Sequence, residues 1–383
     1  MIIARFLLAV WLAFFSLAAS HAAEPVHIKS KVLKEERQYR VQLPASYGWD
    51  KERRYPVLYL LDAQSHFAYT APMVAYLARQ GDIPEMIVVG LDSTVRIRDF
   101  TQTDWRTAWV GGGGAGNFLR FLSSELIPEI ERKYRADGFR ILSGHSAGGQ
   151  FALYALTAEP SLFRAYFAIS PSLDWDNNLP QRSLDAFLAS APRVPAFLYV
   201  ARSDDAGRAL EDYDKLVDTL KARQPAGFRW HSQPFPQETH GTIPLLAHID
   251  ALRALYKGYR FHNDMAPKGI GYAEQHFAEV SKQVGWELPV PEEVVNTLAY
   301  EAMAAGKLVE AIELFKRNAK DHPQSANAFD GLADAYKEVK DWPAARRAAE
   351  RAVALATEQR HPRQKYFADQ LRKLNWLRAE ESR

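Results

Sequence analysis

The sequence predicts an α/β protein, a mostly parallel sheet with helices on both faces, followed by a small all-α domain. Three observations carry this. Between residues 29 and 256, short apolar β-rich runs alternate with helical patterns, as βα units stacked into one parallel sheet would. After Pro291 the strands stop and alanine-rich helical periodicity with alternating charge takes over. The length, 383 residues, also exceeds what one hydrophobic core usually supports, so two domains are expected.

The strands follow from composition. Runs at 55–61, 86–91, 139–143, 165–170 and 196–201 are almost continuously apolar, as expected where both sheet faces are buried. An antiparallel edge is expected from segments around Val32 and at 39–43. Across 117–134, Phe118, Phe121, Leu122, Leu126, Ile130 and Tyr134 recur at helical spacing and give one stripe to face the sheet, with a kink at Pro128. The glycines at 111–114 lack the G-K-[ST] or G-x-G-x-x-G context of a phosphate cradle, so they read as a flexible loop.

In the last part, aligning Glu292 with Ala326 reveals a 34-residue period in which Leu298 matches Leu332, Ala299 matches Ala333 and Ala311 matches Ala345. Pro323 ends the first unit and Gly306 marks its turn; Ala302 and Lys340 depart from the usual tyrosine and glycine. The pattern resembles two tetratricopeptide units. Two such repeats bury little surface alone, so they should dock on the α/β domain or take a capping helix from 365–377. The stretch 258–291, rich in glycine and proline, reads as a partly helical connector. The expected layout is a signal peptide at 1–22, the α/β domain at 23–257, the connector at 258–291 and the helical repeats at 292–383.

Composition narrows the function classes. Charged residues make up 25% and formal net charge is +2, so nothing favours nucleic acid or an anionic membrane as partner. Arg5, the apolar stretch 6–17 and Ser20-His21-Ala22 have the pattern of a cleaved secretory signal, with no membrane span left afterwards. Cysteine is absent, which excludes disulfides, thiolate metal sites and a cysteine nucleophile. A signal without disulfides points to a bacterial periplasm or to secretion.

The sharpest chemical signal is Gly144-His145-Ser146-Ala147-Gly148, with an apolar strand run before it and a helical run after it. A strand-to-helix turn this tight forces its serine into a strained backbone, which small neighbours at Gly144 and Gly148 permit. The hydroxyl is then exposed above the sheet, and the Ala147 N–H at the helix N-terminus can donate to a developing oxyanion. A serine hydroxyl is a weak nucleophile, so a base must lie within reach; in an α/β-hydrolase the partners follow in the order serine, acid, histidine. Histidines occur downstream at 231, 240, 248, 262, 276, 322 and 361. His240 follows a β run at 228–236 and sits in the polar loop Glu238-Thr239-His240-Gly241-Thr242. His231 lies inside that run and His248 inside the next helix, where structural roles suit them.

The acid is expected just after the 197–201 strand, where Asp204 and Asp205 stand side by side. Asp205, further from the strand end, is better placed to turn towards the histidine loop, and a carboxylate there fixes the imidazole tautomer. Asp212 and Asp214 read as solvent-facing residues of the next helix. A second oxyanion donor is expected from the N–H of Ala63 or Gln64, in the loop after an early strand.

On these residues the chain resembles the esterase family that includes esterase D and the enterochelin (siderophore) esterases, over residues 28–256. The landmarks are Tyr59-Leu60-Leu61-Asp62, Arg98-Asp99-Phe100-Thr101, Glu125-Leu126-Ile127-Pro128, the turn from Gly144 to Gly149, Ala168-Ile169-Ser170-Pro171-Ser172 and Glu238-Thr239-His240. The resemblance implies Ser146 as nucleophile, His240 as base and the acid at the Asp204–Asp205 pair. Ala63 departs from it, because glycine often stands there. It further implies hydrolysis of a small-molecule carboxylic ester without metal or organic cofactor. In related siderophore esterases the substrate is a catechol-bearing trilactone gripped by cationic or aromatic side chains. Arg98 and Trp175 are the foremost candidates for that grip, with Arg96, Trp105, Arg106 and Trp109 behind them. Acyl transfer on the same fold, or an inactive scaffold whose repeats bind a protein partner, are the other readings.

Overall fold

The computed structural model describes residues 24–105 and 111–381. The expected signal peptide, Arg106 and Trp109 lie outside the described residues.

Eight strands form one sheet among the described residues: β1 (Val26–Ser30), β2 (Glu35–Gln42), β3 (Tyr55–Leu60), β4 (Ile87–Leu91), β5 (Ala136–His145), β6 (Ala165–Ile169), β7 (Phe197–Arg202) and β8 (Arg229–Pro234). Their spatial order is β1-β2-β4-β3-β5-β6-β7-β8. The first two pairings, β1 with β2 and β2 with β4, are antiparallel, and all the others are parallel. This is an α/β-hydrolase sheet. The antiparallel edge exists as expected, but its first strand ends at Ser30. Val32 lies in the turn that follows, where Glu125 accepts the Lys31 and Val32 N–H groups.

The helices divide between the faces because β-strand side chains alternate. Leu58 and Leu60 of β3 face one layer, made by α1 (Ala63–Arg79) and a later helix. Val57, Tyr59 and Leu61 face the other, which holds α2 (Arg96–Phe100), α3 (Ala115–Phe121), α4 (Ile127–Lys133), α5 (Ala147–Ala158), α6 (Trp175–Ser190) and α7 (Arg208–Ala222). The later helix on the first face is α8 (Ile243–Leu255). The single helix expected over 117–134 is two helices joined by a π turn, Leu122–Leu126. Pro128 falls in the first turn of α4, directly after the π turn, in backbone that stays helical from Phe121 through Ile127. The distortion thus precedes the proline, and the apolar stripe still reaches the sheet with Phe118, Phe121, Leu122, Leu126 and Ile130 buried.

The expected connector is part of the α/β core. After a 3-10 turn, Asn263–Lys268, helix α9 (Gly269–Val284) buries Phe277, Val280 and Val284 in the same apolar cluster as the α1 face of the sheet. Trp286 closes the contact against Phe139, with ring centroids 5.6 Å apart. The remaining helices, α10 (Glu292–Ala304), α11 (Leu308–Asp321), α12 (Ala326–Glu338), α13 (Trp342–Glu358) and α14 (Gln364–Glu381), share an alanine-rich core that Ala266 and Ala273 of the preceding segment also enter. They sit by the N-terminal ends of the strands. There, Trp49 packs on His361 at 4.7 Å, and the Arg164 guanidinium lies 5.8 Å from the Trp286 ring. The C-terminal ends of the strands, on the opposite rim, carry the residues of the candidate site.

Candidate active site

Ser146 leaves β5 with φ 59° and ψ −119°, a region that costs an L residue about 1–3 kcal/mol. Its surroundings hold it there. The Ser146 N–H donates to the Ile169 carbonyl at 2.9 Å, and its own carbonyl accepts from the N–H groups of Gln150 at 3.0 Å and Ser172 at 3.1 Å. A Cβ on Gly144 would run into the Gly148 backbone, whereas a Cβ on Gly148 would meet the Asp62 carboxylate at an ordinary 3.4 Å. Of the two small neighbours, Gly144 is therefore the one this turn requires. Strain is concentrated on this rim: of the nine non-glycine residues with positive φ among the described residues, Asp62, Ser146, Ser170 and the run Asp176, Asn177, Asn178 all follow strands β3, β5 and β6.

The Ser146 hydroxyl lies 3.5 Å from the Ser172 hydroxyl. Ser172, Asp205 and His240 line one cleft of about 210 Å³. The structure thus gathers residues from the ends of β5, β6, β7 and β8 on one edge. Among the described residues Ser146 makes no direct hydrogen bond to His240, nor His240 to Asp205. The Asp205 carboxylate instead accepts the Ser170 hydroxyl at 3.4 Å. Asp204 is exposed, and its backbone N–H donates to the Glu238 carbonyl at 2.8 Å, stapling the end of β7 to the His240 loop. That loop is closed by Thr239 and Thr242, which exchange side-chain and backbone bonds just before α8 begins.

Sequence reasoning missed the environment of His240. The His145 ring packs against His240 with centroids 4.5 Å apart, and the His66 ring meets the other side of His145 at 5.6 Å. Burial, reinforced by the neighbouring His240, His66 and Arg96, pushes the His145 pKa down to about 3. The His145 imidazole therefore stays neutral. His66 is also shifted down, chiefly by burial, and the Tyr69 hydroxyl lies 2.6 Å from its Nδ1. His248 has the structural role expected. Its Nδ1–H donates to the Pro244 carbonyl, its Nε2 lies 2.8 Å from the Ser143 hydroxyl, and burial pushes its pKa down to about 3.

Two helix starts supply backbone donors on this rim. Asp62 caps α1 in a left-handed conformation, and its carbonyl accepts from the N–H groups of Ser65 and His66. The Ala63 and Gln64 N–H groups are then the first-turn donors outside the helix's own ladder, as Ala147 is for α5. The two helix starts adjoin, since Leu61 and Asp62 both lie within 4 Å of the Gly148 Cβ position. Beside them, Arg96 donates from Nε to both Asp62 oxygens at 3.0 Å and from Nη2 to the His145 carbonyl at 2.8 Å.

The side chains expected to grip a ligand are otherwise engaged. Arg98 is paired with Glu35 at 2.6 Å and Asp99 at 2.7 Å, in a network that also holds Arg37. Trp175 is buried, donates from Nε1 to the Thr103 hydroxyl at 3.1 Å, and meets the Trp105 ring edge-on. Neither lines the cleft, whose cations are Arg202 and Arg208. Asp212 is a correction. It is 2% exposed rather than solvent-facing, because it shares the inward stripe of α7 with Leu216 and Leu220. It reaches Arg208 and Lys215 only at 3.5 Å. An acid four residues ahead of Leu216 on an apolar stripe was the signal available for it.

A family model described as "Putative esterase" matches residues 30–224, half of the chain. The chain belongs to this esterase family. Among curated proteins it is similar to the ferri-bacillibactin esterase BesA of Bacillus subtilis, 35% identical over 239 residues, covering 55% of this chain and 83% of that one. Among solved structures it is similar to an IroE-like serine hydrolase from Shewanella oneidensis, with a TM-score of 0.70 and 25% identity, covering 78% of this esterase and 99% of that chain. An uncharacterised protein from Capnocytophaga ochracea, 16% identical with a TM-score of 0.61, covers 92% and 99% respectively and shares the fold. The esterase is a carboxylic ester hydrolase by family, and no helix among its described residues is long and apolar enough to cross a membrane.

Proposed function

We propose that this esterase hydrolyses siderophore esters through an acyl-enzyme on Ser146. The observation that carries the reading is the strained Ser146, held between β5 and α5 with its hydroxyl at the edge of the cleft that His240 lines. Ser146 Oγ bonds to the ester carbonyl carbon and its proton passes to the His240 imidazole. The carbonyl oxygen becomes an oxyanion held by the N–H groups of Ala147 and of Ala63 or Gln64. Collapse expels the alkoxide, which takes the proton from His240. Water then adds to the acyl carbon, giving a proton to His240, and the acid leaves as Ser146 regains its hydrogen. Asp205 orients His240 once the imidazole turns from His145 towards the serine, a small adjustment of the kind catalytic hydrogen bonds make on substrate binding.

The substrate class comes from BesA, whose name states its ester, and from the cations Arg202 and Arg208 at the cleft, which suit an anionic ligand. Trp175 acts on the wall rather than on the ligand, fixing the Asp176–Asn178 turn through Thr103, which bonds both Trp175 and Asp176. We further read α10–α13 as tetratricopeptide-like hairpins that recruit a protein partner in the cell envelope, on the 34-residue offset that the Tyr300–Asp334 hydrogen bond repeats in space. Labelling with a fluorophosphonate, followed by peptide mapping and turnover of trilactone siderophores against short-chain aryl esters, tests the reading. Modification at Ser146, and its loss with turnover in Ser146→Ala, are expected. Labelling elsewhere would overturn the assignment.

A further inference from the structure

We propose that Arg96 is a positioning residue of the oxyanion hole, a bracket that sets the separation of its two groups of N–H donors. The proposal rests on the reading of Ser146 as nucleophile. Asp62 caps α1 directly ahead of Ala63 and Gln64, and His145 directly precedes Ser146. One guanidinium ties both, through the Asp62 carboxylate at 3.0 Å and the His145 carbonyl at 2.8 Å. The segments it joins are thus the two whose donors must meet on a single oxygen.

The rest of the bracket is equally directed. Asp62 is 3% exposed and left-handed, so without Arg96 its carboxylate would be buried with its cation removed. Its N–H donates to the Ser93 hydroxyl at 3.2 Å. The Gln64 amide closes on Ser93 from both sides, accepting the Ser93 N–H at 3.0 Å and donating to the Ser93 carbonyl at 3.5 Å. Ser93 and Arg96 belong to the same short segment after β4, so the α1 start is held by three hydrogen bonds to Ser93 and one charged contact to Arg96. A planar guanidinium can address a carboxylate and a carbonyl at once along one edge, whereas an ammonium is a point charge on a flexible stem. Arg96 is a third exposed on its side chain, which leaves room for the alternative that it touches substrate, and the two roles differ kinetically.

The test uses the purified full-length protein with Arg96→Lys, Arg96→Gln and Ser146→Ala. Turnover is measured on two aryl esters with the same leaving group, one with a neutral and one with an anionic acyl part, beside thermal melts. The expected result is a fall in kcat of about 10- to 100-fold on both esters with KM nearly unchanged, Arg96→Lys lying between wild type and Arg96→Gln. Fluorophosphonate labelling should slow in parallel, because the phosphonyl oxygen needs the same donors. Wild-type kcat on the neutral ester, or a loss confined to KM for the anionic ester, would overturn the proposal. If Arg96→Gln does not fold, Arg96→Lys, which keeps the charge opposite Asp62, decides the same question. Wild-type turnover by Ser146→Ala would instead remove the nucleophile reading underneath.

Discussion

The His145 and His240 imidazoles lie 4.5 Å apart and tilted by 43°, and burial holds the His145 ring neutral. His145 and His248 are both pushed down to about 3 by burial. In the unfolded chain each takes up a proton near pH 6.5, while the native state refuses it until about pH 3. Their contribution to stability is therefore complete above about pH 6.5 and lost as pH falls towards 3, with a slope of up to about 1.4 kcal/mol per pH unit per histidine. Urea unfolding at pH 7.5, 5.5 and 4.5 should show the decline, and His248→Gln should flatten it. An unchanged slope in that variant would assign the acid sensitivity elsewhere.

The adjacent aspartates should separate cleanly. Asp205 lines the cleft with His240, whereas Asp204 contributes its backbone. We expect Asp205→Asn to lower kcat by about 10²- to 10⁴-fold and Asp204→Asn to leave it within about threefold. Steady-state kinetics on one aryl ester suffices. The reverse ranking would move the acid to Asp204.

The glycines of the serine turn are a steric comparison. Gly144→Ala places a methyl group inside the Gly148 backbone, while Gly148→Ala makes only a 3.4 Å contact with Asp62. The first should abolish fluorophosphonate labelling, and the second should retain it and lose at most about 1 kcal/mol of stability. Equal labelling of the two variants would contradict the geometry.

In the helical domain, Asp330 is 6% exposed, and burial together with the nearby Asp334 pushes its carboxyl up to about 6. The unfolded chain ionises it near pH 3.9, so its contribution to stability is present below that pH and lost as pH rises through 6. Asp330→Asn should raise the stability of this domain at pH 8 by about 1–3 kcal/mol and do little at pH 4. Thermal melts at the two values check it, and equal shifts at both would sink the argument.

What was legible in the chain was whatever local chemistry dictates. Strands buried on both faces must be apolar throughout, so β3 to β7 could be read within a few residues. The strained turn at Ser146 was legible because its backbone demands a glycine at 144, and the place of His240 on the same edge because it follows a strand. What was not legible depends on pairings distant in sequence. The pairing of Arg98 with Glu35 spans 63 positions and leaves no local mark in the sequence. The pairing of Arg96 with Asp62 leaves none either. The His66–His145–His240 contact has no one-dimensional trace, since its members come from the first turn of α1, the end of β5 and the loop after β8. The π turn at 122–126 changes hydrogen bonding without disturbing the apolar stripe, so periodicity alone could not reveal it.

The docking of α9 redraws the border of the hydrolytic unit. A chain truncated after Tyr259 would leave Phe139, Tyr256 and Tyr259 facing water where Phe277, Val280 and Trp286 now cover them. The apolar core of the α/β layer thus extends to Trp286, and the stretch that looked like a tether is one of its walls.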